Sequence, residues 1–107
     1  MKIPFTVAVD FDGTLSLGAA WPEIGTPNLR LIHLLKEYQK NDVKLILWTC
    51  REGAALQEAI DWAQKNGLIF DEVNANIPEV IATYHSDSRK IYANLYIDDR
   101  SVLPNTI

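Results

Sequence analysis

The sequence predicts a three-layer α/β fold in which a parallel sheet is flanked by helices. Apolar runs of strand length alternate with amphipathic helical segments along the whole chain. Chains with this alternation usually form parallel sheets with helices on both faces. In addition, acidic residues come directly at the ends of two predicted strands, at Asp10 and Asp98. We therefore expect a ligand site at the carboxyl edge of the sheet.

The predicted elements follow one another without repeats or linkers. Residues 4–10 form the first strand, and residues 16–25, which we call the flap, form a loop above its end. Thr26-Pro27 predicts a helix start, because Thr is a good N-cap and Pro suits the first helical position. The helices are then expected at 26–41, 53–65 and 78–85, and the remaining strands at 43–48, 69–73 and 91–97.

Composition narrows the class of protein. The 107 residues are 48% apolar and 22% charged, as expected for a single domain spanning residues 1–107. A net charge of −4 argues against general nucleic-acid binding, and no run is long enough to span a membrane. The single cysteine, Cys50, and an N-terminus without signal-peptide features favour a cytoplasmic location.

Polar side chains lie where three of the predicted strands end. They are Asp10 and Asp12 at the first, Thr49 at the second, and Asp98 and Asp99 at the last. Because parallel strands share a carboxyl edge, we expect these groups to converge. Converging carboxylates favour Mg²⁺, which accepts a few of them and keeps positions for water and phosphate.

The same residues resemble a known family. DFDGT at residues 10–14 matches the DxDGT motif of the haloacid dehalogenase (HAD) superfamily of aspartate-nucleophile phosphohydrolases. Thr49, Lys90 and the Asp98-Asp99 pair match its second, third and fourth motifs in order. The resemblance covers residues 7–99 and implies a Rossmann-like, HAD-like hydrolase domain.

The resemblance implies a role for each catalytic residue. Asp10 would attack phosphorus to form an aspartyl-phosphate, and Asp12 would serve as acid and then base. Thr49 and Lys90 would hold the phosphoryl oxygens, with Arg89 as the alternative to Lys90. Gly13 would allow a sharp turn beneath the substrate.

The resemblance also implies a magnesium site. Asp10, Asp98 and Asp99 would ligate Mg²⁺, and Asp12 would contribute its backbone carbonyl. Which of Asp98 and Asp99 meets the metal stays open. The alternative for this pair is a simple turn with Arg100 paired to one carboxylate.

Three further residues close to these motifs have two interpretations each. Cys50 and Arg51 are included in the expected substrate-binding set with Gly13, Thr49 and Lys90. A buried structural thiol and a surface charge at a helix start are their respective alternatives. Trp21 in the flap either stacks on a substrate ring or packs under its own loop.

The short connections leave no room for a large cap domain, so the chain resembles capless members of the family. An open site suits a large phosphorylated substrate or a homo-oligomer in which a neighbour covers it. The sequence thus predicts a Mg²⁺-dependent phosphatase acting on a phosphomonoester of unidentified structure. Transfer of the phosphoryl group to an acceptor other than water, or phospho-ligand binding without turnover, are the alternatives.

Overall fold

The computed structural model describes residues 2–107 and shows an α/β fold built on a four-stranded parallel sheet. The sheet strands are β1 (Thr6–Val9), β4 (Lys44–Leu47), β5 (Glu72–Val73) and β6 (Leu95–Ile97). A small antiparallel pair consists of β2 (Ser16–Leu17) and β3 (Thr26–Pro27). The helices are α1 (Leu29–Lys40), α2 (Gly53–Lys65) and α3 (Pro78–Tyr84), and a 3-10 turn follows at Pro104–Thr106. Within residues 2–107, no helix has the length and apolar character needed to cross a bilayer.

The strand order β5-β4-β1-β6 places β1 inside the sheet, between β4 and β6. The chain leaves β1 for β4 and β5 on one side, and then returns to β6 on the other. Val9 is in register with Leu47 on one side and with Ile97 on the other. The reversal of strand order therefore lies between β1 and β6, where such sheets usually bind ligands.

Alternate residues of β1 face two separate cores. Val7 and Val9 belong to a buried cluster with residues of α1 and α2, including Leu35 and Ala59. Ala8 faces the opposite side, where the buried cluster includes residues at the start of α3. Because side chains alternate across a strand, one short apolar run supplies both faces of the sheet. The expected flanking of the sheet by helices is confirmed, with α1 and α2 on one face and α3 on the other.

The helix predicted to begin at Thr26-Pro27 begins later. Thr26–Pro27 instead pairs with Ser16–Leu17 as β3, and α1 starts at Leu29. Asn28 is the N-cap, since its side chain accepts a hydrogen bond from the Leu31 N–H at 3.2 Å. Its amide group also donates to the Thr14 carbonyl, which connects the cap to the loop after β1. Pairing of the first flap residues with the two residues that follow the flap thus outweighs a local capping preference.

The last strand is shorter than its apolar run. The prediction covered residues 91–97, whereas β6 is Leu95–Ile97. Ile91 is buried in the core beside α3 without belonging to the strand. Asn94 exchanges hydrogen bonds with the backbone of Thr6 at 2.8 Å. Apolar character at Ile91 therefore reflects core packing, and regular pairing with β1 begins only after Asn94.

Candidate active site

Three carboxylates meet where β1 and β6 end. The Asp10 N–H donates to the Ile97 carbonyl at 2.9 Å, which fixes the two strand ends side by side. One oxygen from each of Asp10, Asp98 and Asp99 lies within 4.8 Å of the others. The sequence-based expectation that these residues converge is therefore confirmed by the geometry.

The loop after β1 is folded around the backbone of Phe11. The Phe11 side chain is fully buried in the core, and it separates Asp10 from Asp12. Its carbonyl accepts three backbone N–H groups, those of Thr14, Leu15 and Ser16. A buried anchor between the two aspartates lets both carboxylates remain at the sheet edge.

Gly13 permits close approach of the other side of the site. Its φ of +79° lies in the left-handed region, as expected for a sharp turn. A Cβ atom built on Gly13 would overlap the Asp99 carboxylate. Gly13 thus makes room for the carboxylate that follows β6.

A cavity of about 350 Å³ opens above the carboxylates, and we call it the acidic cavity. Its lining contains four acidic side chains and one side chain from the flap. The residues are Asp10, Asp12, Trp21, Thr49, Cys50, Asp98, Asp99 and Arg100. Most of the residues predicted for the site therefore face one space.

Arg51 lies behind this cavity and is fully buried, with 1% of its surface exposed. Its Nε donates to Asp12 Oδ2 at 2.9 Å, and one terminal nitrogen donates to Asp12 Oδ1 at 2.7 Å. This two-point geometry is the strongest form of an arginine–carboxylate pair. Arg51 is thus neither a surface charge nor a substrate contact, and it holds Asp12 instead.

The same guanidinium holds the flap. It donates to the carbonyls of Pro22 at 3.0 Å and Glu23 at 3.2 Å, and to Ala55 in α2. The central carbon (Cζ) of the guanidinium lies 4.9 Å from the ring centroids of both Phe11 and Trp21. A cation packed against aromatic rings in this way is attracted by them.

Thr49 presents only its hydroxyl to a ligand. Its backbone N–H donates to Asn74 Oδ1 at 2.8 Å. Its Oγ accepts the backbone N–H of Arg51 at 3.1 Å. The hydroxyl proton remains able to point into the acidic cavity that Thr49 lines.

The structure places the predicted phosphate clamp, Lys90, in a neighbouring cleft. Its Nζ lies 5.4 Å from the ring centroid of Tyr96, and Asp98 lines both this cleft and the acidic cavity. Arg89 is exposed. Arg100, considered from the sequence only as an ion-pair partner, lines the acidic cavity itself. Its position directly after Asp99 was the signal, because residues just past a strand end share the edge.

Cys50 is exposed and lines the acidic cavity, so the interpretation as a buried structural thiol is wrong. Its side chain leaves the core because the chain turns toward α2 after Thr49. Arg51, one residue later, takes the buried position.

Comparison with known proteins identifies a relative by structure. No protein-family model and no curated protein matches the chain. A solved structure of a conserved protein from Bacteroides thetaiotaomicron matches at 42% sequence identity with a TM-score of 0.78. The match covers 94% of this chain and 79% of that one. The chain belongs to the same family as this conserved protein.

The electrostatics of this family member centre on Asp10. Burial, and to a lesser extent the charges of Asp98 and Asp99, raise the pKa of its carboxyl from 3.8 to a net value of about 6. Hydrogen bonds from the Phe11 N–H and the Thr14 hydroxyl lower the pKa in part. Crowded, half-buried carboxylates of this kind are common at functional sites.

We expect Arg51→Met to lower the free energy of unfolding by about 2–3 kcal/mol, measured by urea denaturation. We expect a smaller loss than for a fully buried ion pair, because the Asp12 side chain is 42% exposed and water can solvate its charge once Arg51 is gone. Lys40→Met is the matched control, since Lys40 forms an exposed ion pair with Glu37 worth at most about 0.5 kcal/mol. Equal losses in the two variants would contradict a structural role for the buried pair.

With divalent cations chelated, we expect Asp10 to make the protein less stable as pH rises from about 4 to about 6. The folded state keeps the Asp10 proton up to a pKa of about 6, whereas the unfolded chain releases it near 3.8. Protonation therefore stabilises the folded state below this window, and the effect is lost as pH rises through it.

Urea titrations at several pH values test this expectation in Asp10→Asn. The difference in unfolding free energy between this variant and the wild type should change across the window and level off above it. Asp61→Asn, which alters an exposed carboxylate on α2, should follow the wild type at every pH. Parallel curves for Asp10→Asn and the wild type would refute the raised pKa.

Proposed function

We propose that this protein is a Mg²⁺-dependent phosphatase of the HAD type, which hydrolyses a phosphomonoester through an aspartyl-phosphate at Asp10. The observation that carries the proposal is the convergence of Asp10, Asp98 and Asp99 within 4.8 Å at the switch in strand order. Asp12 and Thr49 line the same cavity. These are the residues that match the motifs of that superfamily.

The donor set fits magnesium. Three carboxylates of which two are exposed can supply a few oxygen ligands and leave the remaining positions to water and phosphate. Asp10, Asp98 and Asp99 would hold the ion. Bound there, it would offset the repulsion between the carboxylates and the substrate and polarise the phosphoryl group.

Asp10 is the nucleophile in this proposal. An oxygen of its carboxylate attacks phosphorus, the new O–P bond forms, and the bond from phosphorus to the leaving oxygen breaks. The Thr14 hydroxyl donates to Asp10 Oδ2 at 3.3 Å and helps to orient the carboxylate. The raised pKa means that the ionised, reactive form of Asp10 is favoured only above about pH 6, or when a cation is bound.

Asp12 moves the proton in both halves of the reaction. It gives a proton to the leaving oxygen. It later takes one from the water that attacks phosphorus, and this attack breaks the O–P bond to Asp10 and releases phosphate. Arg51 occupies one direction on each Asp12 oxygen, and the 42% exposure of the side chain leaves it accessible from the acidic cavity. Arg51 is therefore a positioning residue that fixes where Asp12 acts.

Three side chains are proposed to hold the phosphoryl oxygens. Thr49 offers its hydroxyl at the cavity wall, and Arg100 is the cationic residue in the described lining. Lys90 lies beyond Asp98 and reaches the phosphate if its side chain turns away from Tyr96. Positive groups at this place stabilise the charge that develops on the transferring phosphoryl group.

The flap is the segment that stands over the site, as expected for a capless member of the HAD superfamily. Its ten residues include Trp21, which faces the acidic cavity.

Cys50 is a free thiol at the cavity wall, and we propose the reducing cytoplasm as the location of this protein.

Asp10→Asn tests the proposal directly. Replacing the nucleophile should lower kcat for phosphomonoester hydrolysis with Mg²⁺ by about a thousandfold or more, because no covalent intermediate can form. The measurement is phosphate release across a panel of phosphorylated metabolites and phosphopolymers.

Asp61→Asn serves as the control for this experiment and should retain the wild-type kcat. Retention of more than about a tenth of the activity in Asp10→Asn would rule out the nucleophile assignment. Adding an alcohol acceptor distinguishes the outcomes further, since a phosphorylated alcohol would indicate transfer to an acceptor other than water.

A further inference from the structure

The geometry points to Trp21 as a specificity residue, which selects phosphomonoesters whose leaving group carries a planar aromatic ring. This inference rests on the proposed phosphatase function and concerns the part of the substrate that lies beyond the phosphate. Two features of Trp21 carry it: its place in the acidic cavity, and the way in which Arg51 holds it.

Trp21 is exposed over 63% of its surface although it lines the acidic cavity with Asp10 and Asp12. The side chain therefore does not pack under its own loop, which was one of its two interpretations. An exposed indole beside a group of carboxylates provides a large apolar surface next to the phosphoryl position. Such a surface is suited to the organic part of a phosphate ester.

Arg51 fixes this surface in advance. Its guanidinium carbon lies 4.9 Å from the Trp21 ring centroid, so the ring rests on a fully buried cation. The same guanidinium donates to the carbonyls of Pro22 and Glu23, the two residues after Trp21. At the end of the flap, the Gly25 N–H donates to the Ser16 hydroxyl at 2.8 Å. A ring held from below and along its backbone loses little freedom when a ligand stacks on it.

A planar ring fits this arrangement better than a flexible chain does. Stacking of an aromatic ring on a side chain such as Trp21 is worth enough to change affinity by roughly tenfold. The cavity of about 350 Å³ reaches from the carboxylates to Trp21, and this is sufficient for a phosphate joined to a ring of moderate size. The ring could belong to a nucleobase or to another aryl group, and both share this chemistry.

The test measures kcat/KM with Mg²⁺ for uridine 5′-monophosphate, phenyl phosphate and glycerol 3-phosphate. Trp21→Leu keeps apolar volume and removes the ring, while Trp21→Phe keeps a ring. We expect Trp21→Leu to lower kcat/KM for at least one ring substrate by about tenfold more than for glycerol 3-phosphate. Trp21→Phe, which keeps a ring, should retain most of the wild-type preference for that ring substrate over glycerol 3-phosphate. The ring substrate that loses more identifies the source of the ring.

Tyr84→Leu is the control, because Tyr84 is 59% exposed on α3 and packs against Tyr92, outside the acidic cavity. It should leave the ratios between substrates unchanged. Equal losses for all three substrates in Trp21→Leu would overturn the inference while leaving the phosphatase proposal intact. No turnover of any phosphomonoester by the wild type would overturn both.

Discussion

The guanidinium of Arg51, charged and without contact to solvent, joins three parts of the chain. It pairs with Asp12 after β1, donates to Ala55 in α2, and holds the carbonyls of Pro22 and Glu23 in the flap. A buried charge is costly unless its donors are satisfied, and here each nitrogen has a partner. The position of the flap, the direction of Asp12 and the start of α2 therefore depend on one another. A substitution that disturbs the flap or Asp12 would therefore alter the flap position, the Asp12 direction and the start of α2 together.

A second constraint is the repulsion among carboxylates at the strand switch. Asp10, Asp98 and Asp99 approach each other closely enough that burial and like charge raise the pKa of Asp10 to about 6. Gly13 allows this crowding, since any side chain there would overlap Asp99. An arrangement that destabilises the ionised form of the protein is reasonable when a cation and a phosphate use it. This is why we propose phosphoryl transfer for the site.

Periodicity and strand-end position predicted the parts that depend on local pattern. Asp10, Asp98 and Asp99 could be placed together because parallel strands end at one edge, whatever the details of packing. The bounds of α2 followed from its apolar stripe. Thr26 could not be placed correctly, because its capping preference competes with strand pairing to Leu17 that only the folded flap creates.

The Arg51–Asp12 pair could not be predicted from the sequence for a different reason. Its partners are 39 residues apart, and the contact forms only when α2 begins beside the flap. Nothing in the residue types distinguishes a buried arginine from a surface one at a helix start. The position of the Lys90 side chain depends in the same way on how the loop before β6 packs against Tyr96.

Covalent trapping gives a direct test of the proposed phosphorylation of Asp10. The protein, turning over phenyl phosphate with Mg²⁺, would be quenched with borohydride, which reduces an acyl phosphate to an alcohol, and then mapped by peptide mass spectrometry. We expect conversion of Asp10, and of no other carboxylate, to homoserine. Turnover with Asp10 unmodified, or with modification at Asp12, Asp98 or Asp99 instead, would contradict it.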